Sequence, residues 1–383
     1  MATDNKNKVL NVPHLRFPEF SGEWERKRLK DVCNIRTGNK NTQDKSDNGI
    51  YPFYVRSQIV ERINSWTFDG EAILTAGDGV GVGKVFHYST GKIGVHQRVY
   101  ILSDFKCDGK YLYSYFAGNF YNRVKRMSAK NSVDSVRMEM IADMPIALPS
   151  IEEQKKIGHL LALLDDRITT QNKIIEKLQS LIKGIVDELM TVLLKGELYP
   201  FASLYIKAGE GGTPTTSVSK YYSGGSIPFI KIDDLSQKYL TSNKDFITEL
   251  GMQKSSAWLI PSQSVIYSNG ATIGAISINK YPVCTKQGIL GIVPNINVNV
   301  EYLYLLMSSS YFSKEVGRII TEGTMKTAYL KDINHIKSPL PSKAQQQNIT
   351  NLTSSIEKKL SMEQNCLKFL KLQKQHLLRT MFI

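Results

Sequence analysis

The sequence predicts two copies of an α/β (α+β) domain, joined by two long antiparallel coiled-coil helices. Three observations carry this prediction. The chain has 383 residues, which is too long for one ordinary hydrophobic core. Short motifs recur in the same order at a spacing of about 191 residues. Each copy then ends in a long segment whose apolar residues follow heptad spacing.

The internal repeat defines the domain boundaries. The run 148–154, LPSIEEQ, is matched by 340–346, LPSKAQQ, and YLY at 111–113 returns at 302–304. Gly83 and Gln97 are matched by Gly274 and Gln287, and YPF at 51–53 is matched by IPF at 227–229. We therefore predict a disordered or extended tail over 1–12, domains over 13–149 and 196–341, and helical regions over 150–195 and 342–383.

Each predicted domain mixes short strands with helices. Runs rich in β-branched residues predict strands at 72–75, 99–102, 264–267 and 289–293. Longer patterns predict helices near 111–127 and 301–319.

Both helical regions carry an apolar seam and begin at a Pro-Ser pair, whose serine can cap the first turn. The first seam comprises Ile157, Leu161, Leu164, Ile168, Gln171, Ile175, Leu178, Ile182, Ile185 and Leu189. The second comprises Ile349, Thr353, Ile356, Leu360, Glu363, Leu367, Leu370, Lys374, Leu377 and Met381. A duplicated chain can pair its helices antiparallel, which would bring Gln171 and Glu363 together as a polar pair that sets the register. The alternative is that both residues lie at exposed edges.

The predicted helix pair has the dimensions of a spacer. A helix from 157 to 189 would be roughly 50 Å long at 1.5 Å per residue. Domains at its two ends would be separated by more than one turn of B-DNA, at about 34 Å per turn.

The charge distribution favours a polyanionic partner. The formal net charge is +14, and residues 1–150 carry 22 basic against 16 acidic side chains. The first helical region, 151–200, is nearly neutral with 7 basic and 8 acidic side chains. Four widely spaced cysteines and the lack of a long apolar run predict a cytoplasmic protein without a membrane segment.

Polar and basic loops supply the candidate DNA-reading residues, because Arg and Lys match guanine and Asn and Gln match adenine in the major groove. For each residue the alternative is a solvated loop. In the first domain the candidates are Arg36, Asn39, Lys40, Arg56, Ser57, Gln58, Lys84, Gln97 and Arg98. In the second domain they are Thr213, Thr215, Lys231, Asn269, Lys286 and Gln287.

Motifs for catalysis are not found in the sequence. The glycine-rich run 77–84 fits neither nucleotide-binding template, so we interpret it as a tight hairpin with positive φ at glycine rather than a phosphate cradle. The Asn/Asp-Pro-Pro-Tyr/Phe motif of adenine methyltransferases does not occur, and the six histidines show no metal-ligand spacing. We expect no catalytic residue, no metal and no cofactor in this chain.

The opening PHLRFPEF at 13–20, with GEWE at 22–25, and the two LPS helix starts resemble the specificity subunits of type I restriction-modification systems. The resemblance covers nearly the whole chain. It implies two target-recognition domains in a circular pseudo-twofold arrangement, each reading one half of a bipartite, asymmetric site in double-stranded DNA. It also implies that the helices dock two methyltransferase subunits, which bind S-adenosylmethionine, and that restriction subunits join the complex.

Apolar residues beside the first seam form a candidate docking face for the methyltransferase subunits: Leu160, Leu163, Ile174 and Leu181. The alternative is that they only widen the seam. Two other functions remain open at this stage: a coiled-coil adaptor that binds proteins alone, and the recognition part of a self-contained restriction or methylation enzyme.

Overall fold

The computed structural model describes residues 11–127, 135–270, 272–320 and 326–383. Residues 1–10 of the expected tail, and Ala271 of the second glycine-rich turn, lie outside the described residues. The chain divides into two compact units, residues 1–173 with 365–383 and residues 174–364. We call them unit 1 and unit 2.

Unit 1 contains two four-stranded sheets, ordered β2-β9-β6-β7 and β4-β3-β8-β5, and an antiparallel pair β1-β10. Its elements are β1 (Glu25–Arg28), α1 (Leu29–Val32), β2 (Asn34–Thr37), β3 (Tyr51–Tyr54), β4 (Glu61–Ile63), β5 (Phe68–Asp69), β6 (Ala72–Ala76), β7 (Phe86–Ser89), β8 (Lys92–Val95), β9 (Val99–Ser103), α2 (Gly109–Met127), α3 (Met138–Ala142), β10 (Pro145–Leu148), the first part of α4 (Ile151–Leu193) and the last part of α9 (Lys343–Thr380).

Unit 2 contains a five-stranded sheet ordered β12-β19-β16-β17-β14, a three-stranded sheet β15-β13-β18 and the pair β11-β20. Its elements are the last part of α4, β11 (Leu198–Pro200), β12 (Tyr205–Glu210), β13 (Ile227–Ile230), β14 (Tyr239–Leu240), β15 (Asp245–Ile247), α5 (Glu249–Gln253), β16 (Val265–Ser268), β17 (Ile276–Asn279), β18 (Cys284–Thr285), β19 (Ile289–Pro294), α6 (Val300–Ser308), α7 (Ser310–Ile319), α8 (Leu330–Ile333), β20 (Lys337–Pro339) and the first part of α9 (Lys343–Thr380).

The repeat seen in the sequence is a repeat of structure. Strands β3 and β8 pair in parallel in unit 1, and β13 and β18 pair in parallel in unit 2. The hydroxyl of buried Tyr111 donates to Ala147 O at 2.5 Å, and that of Tyr302 donates to Pro339 O at 2.8 Å. Equivalent residues therefore make equivalent contacts, which confirms the prediction of two α/β domains of one kind.

The heptad seams of both long helices are confirmed by burial. In α4 and in α9 the seam positions are buried or half-buried. Within unit 1, Ile157 and Leu161 of α4 share a core with Met381 and Phe382 at the chain's end. Within unit 2, Val186 and Met190 share a core with Ile349 near the start of α9. In unit 1 Lys374 of α9 also forms an ion pair with Asp165 of α4, so the two helices run antiparallel there.

The buried face of α4 shifts toward its end. Val186 and Met190 are 4% and 1% exposed, whereas the predicted seam residues Ile185 and Leu189 are only half-buried. A straight helix has 3.6 residues per turn, so a face selected by a 3.5-residue repeat drifts by about 20° per heptad. Over the four heptads from Ile157 to Ile185, this drift turns Val186 and Met190, each one residue after a seam position, into the core.

Two elements differ from the sequence prediction. The helix expected over 301–319 is broken into α6 and α7 at Ser309, whose side chain accepts a hydrogen bond from Phe312 N and caps the second helix. The run 77–84 does connect antiparallel β6 and β7, but over nine residues, 77–85, rather than as a tight turn. The expected positive φ is present at Gly79 (78°) and Gly83 (65°).

Candidate nucleic-acid interface

A buried histidine organises the turn between β8 and β9 in unit 1. The His96 side chain is 5% exposed, and its Nδ1 accepts a hydrogen bond from Arg98 N at 3.0 Å. Its Nε2 lies 3.3 Å from the hydroxyl of Thr42. Burial, and next the positive charge of Arg56, lower the pKa of His96 below its usual value. The neutral imidazole thus holds the turn while the side chains of Gln97 and Arg98 remain exposed.

Asp78 connects two arginines on this surface. Its Oδ1 accepts from Arg56 NH1 at 2.8 Å, and its Oδ2 lies 3.6 Å from Arg98 Nε. The Arg56 and Arg98 side chains are 45% and 64% exposed, and that of Asp78 is 26% exposed. A carboxylate between two guanidinium groups limits their rotation and leaves a net positive charge facing solvent.

Four loops of unit 1 meet at this surface. Gln97 N donates to Lys40 O at 2.8 Å, and Gln58 Nε2 donates to Lys84 O at 3.1 Å. Gly77 N donates to Arg98 O at 2.8 Å. We call this surface, formed by residues 38–42, 55–58, 77–85 and 96–98, the unit 1 loop face. It brings together Asn39, Lys40, Arg56, Ser57, Gln58, Lys84, Gln97 and Arg98 from the sequence prediction.

Arg36 lies apart from these contacts, on strand β2. Its guanidinium stands 5.0 Å from the centre of the Phe68 ring. Its side chain is exposed, so Arg36 adds charge to unit 1 beside the sheet rather than within the loop face.

Unit 2 builds a related surface from different residues. Lys286 N donates to Ile230 O at 3.0 Å, just as His96 N donates to Tyr54 O at 3.0 Å in unit 1. Gln287 N donates to the hydroxyl of Thr213 at 3.3 Å, and Lys231 Nζ lies 2.8 Å from Asp245 Oδ1. We call residues 211–216, 231 and 286–288 the unit 2 loop face. The exposed candidates here are Thr215, Lys231, Lys286 and Gln287, and Thr213 is half-buried.

Asn269 does not fit the expectation of a base-reading residue. It is 1% exposed, and its Nδ2 donates to Ala328 O at 3.1 Å. Its backbone N donates to Gly288 O at 3.0 Å, the equivalent of the bond from Gly77 N to Arg98 O. Asn269 therefore fixes the β16 end inside unit 2, and burial leaves its amide nothing to present to DNA.

The candidate residues of the helices are distributed over buried and exposed positions. Gln171 is 6% exposed, and the Glu363 carboxylate forms an ion pair with Lys359 one turn earlier. On α4, Leu163, Ile174 and Leu181 are 53%, 36% and 50% exposed. Leu160 instead packs against the unit 1 core. The pairing of Gln171 with Glu363 stays a prediction, and so does the docking role of these four apolar residues.

Comparison with known proteins identifies the family. The family model described as "Type I restriction modification DNA specificity domain" matches the chain twice, over residues 21–180 and 205–371. The chain belongs to this family. Each match begins near the start of one α/β domain and extends into the long helix that follows it.

Relatives in this specificity-domain family span different shares of the chain. The EcoDI specificity subunit of Escherichia coli is 28% identical over 176 residues, 46% of this chain and 39% of the relative. The MjaVIII specificity subunit of Methanocaldococcus jannaschii is 24% identical over 378 residues, 90% of this chain and 87% of the relative. The alignments to the EcoDI, MjaIX and HindI subunits cover well under half of those relatives, at 39%, 34% and 25%.

A solved structure supports the same fold. The crystal structure of the type I restriction-modification S subunit from M. genitalium superposes with a TM-score of 0.63. It is 15% identical in sequence, and the match covers 97% of this chain and 99% of that one. None of the helices among the described residues combines the length and the apolar composition that a membrane span requires.

Two organising residues of the specificity domain in unit 1 were missed from the sequence. Asp78 lies in the run 77–84, which the sequence predicts only as a hairpin, and His96 is not among the candidate DNA-reading residues. A carboxylate surrounded by glycines in an otherwise basic loop region was the available signal for Asp78. Nothing in the spacing of His96 distinguishes a buried imidazole from a solvated one.

Proposed function

We propose that this chain is the DNA-recognition subunit of a type I restriction-modification complex. Its two loop faces each read one half of a bipartite site in double-stranded DNA. The observation that carries the proposal is the unit 1 loop face, where four separate loops place Arg56, Arg98 and Lys84 on one surface. Membership of the specificity-domain family, in two copies, supports the same function.

The two half-sites are proposed to differ. Unit 1 presents two arginines positioned by Asp78, and an arginine fork suits the O6 and N7 acceptors of guanine. At the equivalent turn unit 2 has Lys286, Gln287 and a glycine, and a glutamine amide suits adenine. Surfaces with different donors would read different bases, so the complete site would not be palindromic.

The long helices are proposed to space the recognition domains and to dock two methyltransferase subunits. Leu163, Ile174 and Leu181 support this role, because all three are large, apolar and exposed, and their spacings of 11 and 7 residues place them on one side of α4. Those partners would bind S-adenosylmethionine and modify adenine, and restriction subunits would complete the complex. This chain would supply no catalytic group, and the complex would act on DNA in the cytoplasm.

Methylation mapping tests the proposal. The gene would be expressed with its cognate modification subunits, and methylated adenines would be mapped across the host genome. We expect one motif with two unlike specified halves separated by an unspecified spacer. A palindromic motif would contradict the two different half-sites. Methylation without sequence preference would contradict the recognition role, and methyl transfer by the purified chain alone would contradict its lack of a catalytic group.

A salt titration separates DNA reading from a purely protein-binding adaptor. The purified complex would bind a DNA duplex carrying the mapped site, at several salt concentrations. A reader that neutralises several phosphates loses affinity steeply as salt rises, because bound counterions are released on binding. An adaptor would show no such specific binding at any salt concentration.

A further inference from the structure

The unit 1 loop face carries an aliphatic side chain that nothing in the described residues covers. Val80 is 96% exposed, the highest value among the large hydrophobic side chains that the structure describes. It stands at the tip of the β6–β7 connection, between Gly79 and Gly81. Single exposed aliphatic residues are common on protein surfaces, so the exposure alone has no functional meaning.

The loop is built to hold Val80 outward. Val82 and Val85 of the same loop are 2% and 6% exposed, so they anchor it in unit 1. Val85 N donates to Gly81 O at 2.9 Å. A Cβ on Gly81 would lie 2.5 Å from Arg56 O, so the backbone packs directly on the neighbouring loop. The outward position of Val80 is therefore fixed by packing around the residue.

The surroundings of Val80 are cationic and hydrogen-bonding. Arg56 and Asp78 form their ion pair next to the loop tip, and a Cβ on Gly79 would be 3.9 Å from the Arg56 guanidinium. Lys84 of the same loop lies 5.5 Å from the centre of the Tyr121 ring. The Val80 side chain is thus an apolar group surrounded by cationic ones. This arrangement suits a polyanionic partner that presents a small apolar group at a defined position.

In double-stranded DNA the thymine C5-methyl is the apolar group that the major groove displays. We propose that Val80 is a specificity-determining residue that packs on a thymine methyl within the half-site read by unit 1. The inference rests on the proposed DNA-reading function. It adds a residue that selects thymine through apolar contact, beside arginines that select guanine by hydrogen bonding.

Among the described residues of unit 2, no large exposed aliphatic side chain stands in the equivalent connection. The β16–β17 connection spans 269–275, two residues fewer than the β6–β7 connection, and is described except for Ala271. Thr272 is exposed, whereas Ile273 packs against the unit 2 core. The thymine contact is therefore proposed for one half-site alone.

The test replaces thymine by deoxyuridine, which lacks only the methyl group. Duplexes carrying the mapped site, each with one thymine of the unit 1 half replaced, would be titrated with the complete modification complex. For the unaltered chain we expect one position at which the replacement weakens binding about fourfold, the effect of one buried methyl group. Val80→Ala should weaken binding to the thymine duplex about three- to tenfold. Thermal unfolding should be unchanged, because the side chain is exposed.

The decisive result is the combination of the two changes. If Val80 contacts the methyl, the deoxyuridine replacement has no further effect in Val80→Ala. Equal losses on thymine and deoxyuridine duplexes would overturn the proposal, and so would an unchanged affinity of Val80→Ala. A wedge inserted between base pairs would give such methyl-independent losses. If the unaltered complex fails to prefer its mapped site, the DNA-reading function itself falls.

A matched control is available in unit 2. Ile296 is 82% exposed and follows the end of β19, whereas the turn of the unit 2 loop face precedes the start of that strand. Ile296→Ala removes a similar exposed aliphatic group away from the loop face. It should leave the affinity for every duplex unchanged, and a loss equal to that of Val80→Ala would overturn the proposal.

Discussion

Removing Arg16 should destabilise unit 1 far more than an ordinary surface ion pair would. Arg16 Nε and NH2 each lie 2.8 Å from an oxygen of the Glu153 carboxylate. The side chain of Glu153, in the first turn of α4, is 1% exposed, and that of Arg16 is 16% exposed. Arg16 also donates to Gly22 O at 2.7 Å and to Ser21 O at 2.9 Å. One guanidinium thus connects the N-terminal segment to the start of the long helix.

The expected magnitude follows from the burial of Glu153. In Arg16→Met the aliphatic part of the side chain is kept, but a carboxylate is left unpaired inside the protein, at a cost of about 3–5 kcal/mol. Arg16→Met combined with Glu153→Leu removes the buried charge as well and should recover most of that loss. Arg28→Met is the matched control, because the Arg28–Asp143 pair is 58% and 39% exposed, and solvent screening leaves such a surface pair little effect on stability.

Urea unfolding of the full chain can report unit 1 separately. Trp24 is 3% exposed in the unit 1 core, and Trp66→Phe with Trp258→Phe would leave it as the single tryptophan. The free energy of unfolding would be taken from Trp24 fluorescence for each variant. The reasoning is refuted if Arg16→Met costs no more than Arg28→Met, or if the double variant is less stable than Arg16→Met.

Three further predictions concern the loop face and the helix. Arg98→Ala should weaken binding to the mapped site about 5- to 150-fold and relax one guanine position, without changing thermal stability, because Arg98 is 64% exposed; an unaltered motif in methylation mapping would contradict this. Leu181→Glu should abolish co-purification with the methyltransferase subunits while circular dichroism stays unchanged, because Leu181 is 50% exposed; retained co-purification would exclude it from docking. Burial is the chief cause that lowers the pKa values of His87 and His96, so the unfolded chain binds more protons and stability should fall as pH drops below about 6.5. In urea titrations His96→Gln should reduce that loss of stability, and an unchanged pH profile would contradict the assignment.

The repeat and the helix seams could be predicted because they depend on local pattern. Heptad spacing fixes which side of a helix is apolar, and the matched LPS and YLY motifs mark equivalent positions in the two copies. Tyr111 and Tyr302 lie in the first turn of equivalent helices, α2 and α6. Both are buried, and each hydroxyl donates to a backbone carbonyl. Such features are contained within short stretches of chain.

Features that depend on contacts distant in sequence could not be predicted. Asn269 and Gln97 are both amide side chains in turns beside strands, yet one is buried against Ala328 and the other is exposed. Which of them faces solvent depends on how a later segment packs over the strand end. The helix break at Ser309 has a local cause instead. Ser309 is one of three consecutive serines, and its hydroxyl caps the helix that follows. The apolar periodicity of the segment does not indicate which serine acts as a cap.

A buried glutamine joins each specificity domain to the long helix that follows it, with the same hydrogen bonds in both copies. Gln154 and Gln346 are 5% and 0% exposed, and each Nε2 donates 2.8 Å to the preceding proline carbonyl. Each Oε1 accepts from a backbone N of its own domain, Asp108 at 3.0 Å and Asn299 at 2.7 Å. Each glutamine side chain thus hydrogen-bonds to backbone atoms, which are present whatever the neighbouring side chains are. None of the side chains of the loop faces takes part in these bonds. The loop-face side chains of either domain can therefore change without altering the hydrogen bonds that join that domain to its long helix.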